Sequence, residues 1–464
     1  MSALHELGLR PLAAALRDGE VTPVEATAYF LARIEAHTDL GAFAEVTAEA
    51  ARRRAAELGA PPADPPALWG VPLADKDLTA RAGVPTRYGS RVNADHVPAH
   101  SDPLAVALDE AGAISLGKTS TPEFGLTGFT ETRVGPPARD PWGPANGAGG
   151  SSGGAAVAVA SGLLPAAPAS DGGGSIRIPA ATVGVVGLKP SRGRVPAGSG
   201  LDSPDGLAVA GPIARTVDDA AMLLDVLAAG PYRYATRAPG DGPFSEAALV
   251  LPGTLRIGVT TASPWDESMD IRLDPAARGA LDEAVRVLAG AGHGIEDVGW
   301  APTGYGDMFM ILWRASAARI PVPDARLGEV EPITAWLIRE GRALTAERLL
   351  GAYAAARAFE RGTIAAFASF DLVLTPALAL PPRPVGWFAQ DDPEVSFTRQ
   401  CQYAPYSSFV NVCGLPAVTV PVATAPDGHP VSVQLIGRPG GEALILHVAA
   451  HLERSRGALA WPSL

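Results

Sequence analysis

The run over residues 149–189, GGSSGGAAVAVASGLLPAAPASDGGGSIRIPAATVGVVGLK, constrains this chain more than any other stretch. Two glycine-rich turns that each carry serine, 149–154 and 171–177, flank an alanine-rich segment. Glycine lets backbone N–H groups approach a ligand closely and takes positive φ without steric cost. The small residues of 155–160 suit a helix that packs tightly on a sheet. A serine at the end of such a run sits beside free amide donors. Acyl transfer needs that arrangement, a hydroxyl nucleophile next to an oxyanion hole.

The rest of the chain reads as a layered α/β fold, strands alternating with helices. Residues 8–60 read as helical. Thr22-Pro23-Val24-Glu25 has the pattern of an N-cap with proline in the first turn and glutamate at the third position. A Pro/Ala-rich linker is expected at 60–67, and a short strand at 71–73 leads into Asp75-Lys76-Asp77. A helix at 104–111, strands at 113–116 and 183–188, and a Pro/Gly/Ala-rich surface connection at 230–252 follow. Beyond them come strands at 255–259 and 295–298 around a helix at 275–289. A mostly helical stretch at 301–365, buried strands at 372–374 and 418–420, and a closing helix at 444–452 complete the pattern. No internal repeat is evident.

Composition excludes some functions. The net charge is −12 with no basic run, so nucleic-acid binding, which needs clustered Lys and Arg, is not expected. Two cysteines, Cys401 and Cys413, make neither a disulfide framework nor a thiolate metal site. No run of ~18 apolar residues is present for a membrane span. Arg10, Arg17, Asp18 and Glu20 interrupt the N-terminus too early for a signal peptide. A soluble, cytoplasmic protein is expected.

Three patterns compete as the carrier of chemistry. Residues 112–119, GAISLGKT, match a phosphate loop formally, but their interior is strand-like and a helix precedes them. Residues 149–153, GGSSG, match a nucleophile elbow formally, but PWGPANGAGG ahead of them cannot be a central strand. His447 and His451 stand at i, i+4 on the closing helix without a nearby third ligand, so no metal is expected. The third pattern joins Lys76 to the two serine turns. Alone, Lys76 reads as a surface turn paired with Asp75 or Asp77. Lysine directly after a buried strand is unusual, however, because lysine is rarely buried without a role.

Together these segments resemble the amidase signature family over roughly residues 22–453. The resemblance rests on VPLADKD at 71–77, AGAISLGKTSTPEFG at 111–125, RDPW at 139–142, GGSSGG, DGGGSIRIPA, GLKPSRGRV at 187–195, GPIART at 211–216 and CGLPAVTVPV at 413–422. The spacings agree as well: the two serines lie 24 residues apart and Lys76 lies 75 before Ser151. It implies one amidase domain, a large central mixed β-sheet covered by helices on both faces (α/β/α). An N-terminal helical part at 1–65 would precede a core at 66–230, a substrate-shaping part at 231–370 and a C-terminal return at 371–464. It also implies a Ser-cisSer-Lys triad. Ser175 would be the nucleophile, Ser151 the relay after a cis bond from Gly150, and Lys76 the base, which must be neutral before attack. Asp75 and Asp77 would then have to point away or be engaged elsewhere.

Within that resemblance Gly172, Gly173 and Gly174 would hold the oxyanion. Asp171 and Arg177 would pair to hold the loop, and Ser152 would be a loop or helix-cap residue. Gly172 stands where a larger residue is common in the family, which suggests a more flexible loop. Ile178 stands where tRNA-dependent amidotransferase subunits usually carry glutamine. Substrate contacts are expected from Thr127, Gly128, Phe129, Phe309 and Trp313, with Tyr305, Met310, Trp387, Phe388 and Tyr403 nearby. The resulting expectation is an amidohydrolase of small uncharged amides, with esters, carbamates or cyclic and nylon-type amides as further substrates. It would need no cofactor, bind neither membrane nor nucleic acid, and act as a monomer or homodimer. The alternatives are a glutamine-amidase subunit of a tRNA-dependent amidotransferase and, more remotely, a Ser-His-Asp hydrolase or a phosphate-loop protein.

Overall fold

The computed structural model describes residues 3–195, 205–229, 242–247, 253–388, 391–462 and 464. Eleven strands are found among the described residues. They are β1 (Phe43–Val46), β2 (Pro72–Lys76), β3 (Ile114–Thr119), β4 (Ala166–Asp171), β5 (Val186–Lys189), β6 (Val209–Ala214), β7 (Arg256–Val259), β8 (Gly294–Asp297), β9 (Leu372–Pro376), β10 (Ala417–Thr424) and β11 (Pro430–Gly437). Eight form a mixed sheet in the order β4-β6-β5-β10-β11-β9-β7-β8. The pairings from β4 across to β9 are antiparallel, while β9-β7-β8 run parallel. Strands β5, β6 and β9 are buried at every position. Successive side chains point to opposite faces, so both faces of the sheet's middle are covered.

Strands β2 and β3 do not join this sheet. They pair in parallel and, with antiparallel β1, form a separate sheet of order β1-β3-β2. The helix Gly153–Ala160 touches strands of both sheets and is buried along its whole length. Its small residues permit that contact. A Cβ on Gly154 would stand 2.3 Å from the Ser120 nitrogen and 2.4 Å from the Ala42 carbonyl oxygen. The alanine-rich segment is thus the close-packed layer between the two sheets.

Most expected elements are present within a few residues. Thr22 caps the helix Pro23–Ala36: its side chain accepts the Glu25 N–H at 3.2 Å, and the Glu25 carboxylate accepts the Thr22 N–H at 2.8 Å. The N-terminal 8–60 stretch is not helical throughout, because β1 interrupts it. Strands β4, β6 and β11 were not expected. β4 reads AAPASD and β6 reads VAGPIA, with Pro168 opposite Pro212. Proline and alanine disfavour strands intrinsically, and here burial and pairing override propensity. β4 lies at the sheet's edge, where proline is tolerated best. Most of the connection expected at 230–252 lies outside the described residues, save a short helix Phe244–Ala247.

Candidate active site

The first turn precedes the buried helix Gly153–Ala160, and the Gly150–Ser151 peptide bond is cis, as expected. The second turn connects the end of β4 to the helix Arg177–Val183. Lys76 is the last residue of β2. The packing of β2 beside β4 brings the three together. Lys76 Nζ donates to Ser151 Oγ at 2.7 Å, and also meets Ser170 Oγ at 3.1 Å and the Ser170 carbonyl at 3.3 Å. Ser170, at the end of β4, went unnoticed in the sequence because nothing marks it as part of a strand. The Ser152 N–H donates to the Ser175 carbonyl at 3.1 Å, tying the two turns together. The Ser152 hydroxyl donates to the Ser170 carbonyl at 3.2 Å. Ser152 is the N-cap of its helix, but its side chain caps nothing there.

Lys76 is 2% exposed, and burial pushes its ammonium down to about 7 against the opposing pull of Asp171. The neighbouring carboxylates are engaged elsewhere. Asp75 pairs with Arg81 at 2.6 Å, and Asp77 accepts the Arg87 and Gly89 N–H groups. Burial pushes Asp77 up to about 6, opposed by Lys118 and those amides. Lys118, on β3, is fully buried and donates to the Thr79 carbonyl. The GAISLGKT segment is therefore a buried strand and no phosphate loop. Among the described residues no group of three or more His, Cys, Asp or Glu could hold a metal.

A buried polar cluster fixes the loop that bears Ser175. Asp171 and Arg177 are paired at 2.9 Å and are almost wholly buried. Asp171 Oδ1 accepts the Gly174 N–H at 2.7 Å, and Oδ2 accepts that of Ile176 at 3.2 Å. Burial alone would push the Asp171 carboxyl up, but Arg177, Lys189 and Asn411 hold it well below the usual carboxylate range. Asn411 Nδ2 donates to the Asp171 carbonyl at 2.8 Å, and Asn411 Oδ1 accepts Arg177 at 2.7 Å. Gln434 on β11 accepts Arg177 at 2.7 Å, and Ser407 Oγ donates to the Gly173 carbonyl at 2.8 Å. The loop expected to be flexible at Gly172 is thus held on both flanks. Gly174 has φ 129°, and a Cβ there would lie 2.4 Å from Ser407 Oγ.

One expected role needs correction. Gly174 cannot offer its amide to an oxyanion, because Asp171 already accepts it. The N–H groups of Gly172, Gly173 and Ser175 have no protein acceptor among the described residues.

Ser175 opens onto two pockets. The larger, about 540 Å³, is lined by Ser151, Ser170, Gly172 and Ser175 together with Phe124 and Tyr88, among others. The smaller, about 60 Å³, is lined by Gly173, Ile178, Trp265, Phe309, Phe397 and Gln400, among others. Leu126, Trp313 and Ser175 border both. Thr127 and Gly128 line the smaller one, as do the expected Phe309 and Trp313. Phe129 differs from expectation. It is buried against Phe388 with ring centroids 5.3 Å apart and lines neither pocket, because its backbone packs on Gly150. Tyr305 and Tyr403 are likewise core residues, fully buried.

Comparison with known proteins gives a consistent picture. The amidase family matches residues 25–446. A Synechocystis sp. protein named "Putative amidase" is 34% identical over 96% of this chain and 87% of its own length. A glutamyl-tRNA(Gln) amidotransferase subunit from a Synechococcus sp. is 35% identical over 95% of each chain. Among solved structures, a 6-aminohexanoate cyclic dimer hydrolase complexed with substrate superposes with a TM-score of 0.90 at 28% identity, covering 99% of both chains.

Proposed function

The chain belongs to the amidase signature family and is an amide-hydrolysing enzyme, and on that premise we propose that it cleaves small, uncharged carboxylic amides through an ester on Ser175. The observation that carries the reading is the buried Lys76 Nζ, 2.7 Å from Ser151 Oγ and brought to about 7, beside a pocket whose wall includes Ser175. An ordinary lysine, near 10.4, would be neutral at pH 7 in roughly one molecule in a few thousand. In this reading the neutral amine of Lys76 takes the Ser151 proton while Ser151 takes that of Ser175. Ser175 Oγ bonds to the carbonyl carbon, and the Gly172, Gly173 and Ser175 amides stabilise the oxyanion. The proton returns through Ser151 to the amide nitrogen, the C–N bond breaks and the amine leaves. Water then attacks the ester by the same relay and releases the acid.

The purified protein alone should release amine from a panel of aryl, linear, cyclic and carbamate substrates. Ser175→Ala should abolish turnover, and substitution of any single histidine should not. A histidine as essential as Ser175 would overturn the assignment. The second reading, a component of a tRNA-dependent amidotransferase, is favoured by the likeness to the Synechococcus amidotransferase chain. It requires activity only with added partner proteins and tRNA.

A further inference from the structure

The two pockets that meet at Ser175 differ in size, in lining and in which of them touches the proton relay. Ser151 and Ser170, the hydroxyls bonded to Lys76 Nζ, line only the larger pocket. Gly173 and Ile178 line only the smaller one. The mechanism requires the leaving nitrogen to be protonated, so that nitrogen must face the relay. The substituent on the carbonyl carbon must then point the other way. From this juxtaposition we infer that the enzyme prefers amides with a short, uncharged acyl group and a large amine. The amine lies in the 540 Å³ pocket and the acyl group in the 60 Å³ pocket. The inference rests on the hydrolase reading given above.

The volumes make the preference steep. A buried water needs roughly 10–15 Å³ of such volume, so the smaller pocket holds on the order of four or five non-hydrogen atoms. Acetyl, propionyl and butyryl groups are within that size, while hexanoyl and benzoyl exceed it. The walls of this pocket are aromatic and aliphatic apart from small hydroxyls, a buried thiol and the Gln400 amide, and no charged side chain lines it. A carboxylate or ammonium on the acyl chain would lose its hydration without a partner. The larger pocket is of the size typical for drug-sized ligands. Most of its surface is apolar, and it carries His96, Asp102, Asp205 and Arg319 among its lining residues, so a polar amine is tolerated.

Two substrate series test this. In the first, the amine is fixed as 4-nitroaniline and the acyl group runs through acetyl, propionyl, hexanoyl and benzoyl. In the second, the acyl group is fixed as acetyl and the amine grows from methylamine through aniline to 2-naphthylamine. The expected result is a fall in kcat/KM of roughly tenfold or more from propionyl to hexanoyl, with no fall as the amine grows. Phe309→Ala and Phe397→Ala, made separately, should each raise the hexanoyl/acetyl ratio without changing the amine ranking. A hexanoyl or benzoyl anilide cleaved as well as the acetyl one overturns the inference and leaves the hydrolase reading standing. Intact-mass detection of an acetyl adduct from 4-nitrophenyl acetate, absent in Ser175→Ala, separates the two cases. If no substrate is cleaved and no adduct forms, both fail together.

Discussion

Lys76 and Lys189 are near twins by environment and differ in what they can reach. Both are fully enclosed, and in both burial is the main force that brings the ammonium to about 7. Arg177 and Arg192 add to the push on Lys189, against Asp171 and Glu442. Yet Lys76 Nζ meets two serine hydroxyls that line a pocket, while Lys189 Nζ donates to the Pro190 carbonyl at 2.8 Å. Lys189 lines neither pocket that holds Ser175. A carbonyl can accept a proton bond but cannot pass a proton on. A shifted lysine therefore becomes a candidate base through the hydroxyl it touches and the space beyond it.

The two lysines should respond very differently to substitution, and a like response would undo the contrast. Lys76→Ala should lower kcat/KM by about 10²–10⁴-fold or more, the range for general acid–base groups. Lys189→Met should keep kcat/KM within about tenfold, below that range. Steady-state kinetics on both variants, with circular dichroism to confirm folding, decides between a shared and a divided role. A smaller effect is expected at the carboxylate that acts on both. Asp171→Asn leaves the Arg177 guanidinium, 1% exposed, without its charge partner. Denaturant melts should show a loss of about 3–5 kcal/mol, the usual result of breaking a buried pair. A rate loss should accompany it as Gly174 and Ser175 lose their anchor.

The subtlest distinction is in pH. The proposed base works when neutral, so kcat/KM should rise through about pH 7 and level off above it. Lys189→Met should leave that midpoint in place. For stability the sign follows from a folded value below the unfolded one, near 10.4. Between those values the unfolded chain binds more protons, so each lysine's contribution is present in full above the unfolded value. It is lost as pH falls through about 7. Urea melts from pH 6 to 10 should therefore show stability rising with pH, and less steeply in Lys189→Met. An unchanged slope in that variant would mean Lys189 is already charged in the fold.

Much of this site was legible in the sequence because two serine-bearing glycine turns supply a hydroxyl beside closely approachable amides, and few chemistries need that combination. Lys76 is hydrogen-bonded to Ser151, Ser151 and Ser175 line one pocket, and Asp171 pairs with Arg177. Ser170 was hidden in an alanine- and proline-rich segment that carries no strand signal, since its pairing with β6 is decided by tertiary contact. Asn411 and Gln434 were hidden for a different reason. Each is an ordinary polar residue in an apolar run, and its role depends on which buried groups the fold brings to it. The Gly174 amide was misjudged because a sequence gives the donors but not the acceptor that has already claimed one. Periodicity likewise found β2 and β3 but could not say that they leave the main sheet.

The cluster around Arg177 has a consequence for the order in which the chain becomes competent. Asn411 and Gln434 reach Arg177 across 234 and 257 residues of sequence. Proteins are synthesised from the N-terminus, so a nascent chain presents Lys76, Ser151 and Ser175 long before either anchor exists. Until β11 has been translated and inserted, the Asp171–Arg177 pair has no Gln434 to meet, and the nucleophile's loop lacks the contacts that shape it. The full set of contacts around the nucleophile's loop is thus completed only when the last strand of the sheet has been made.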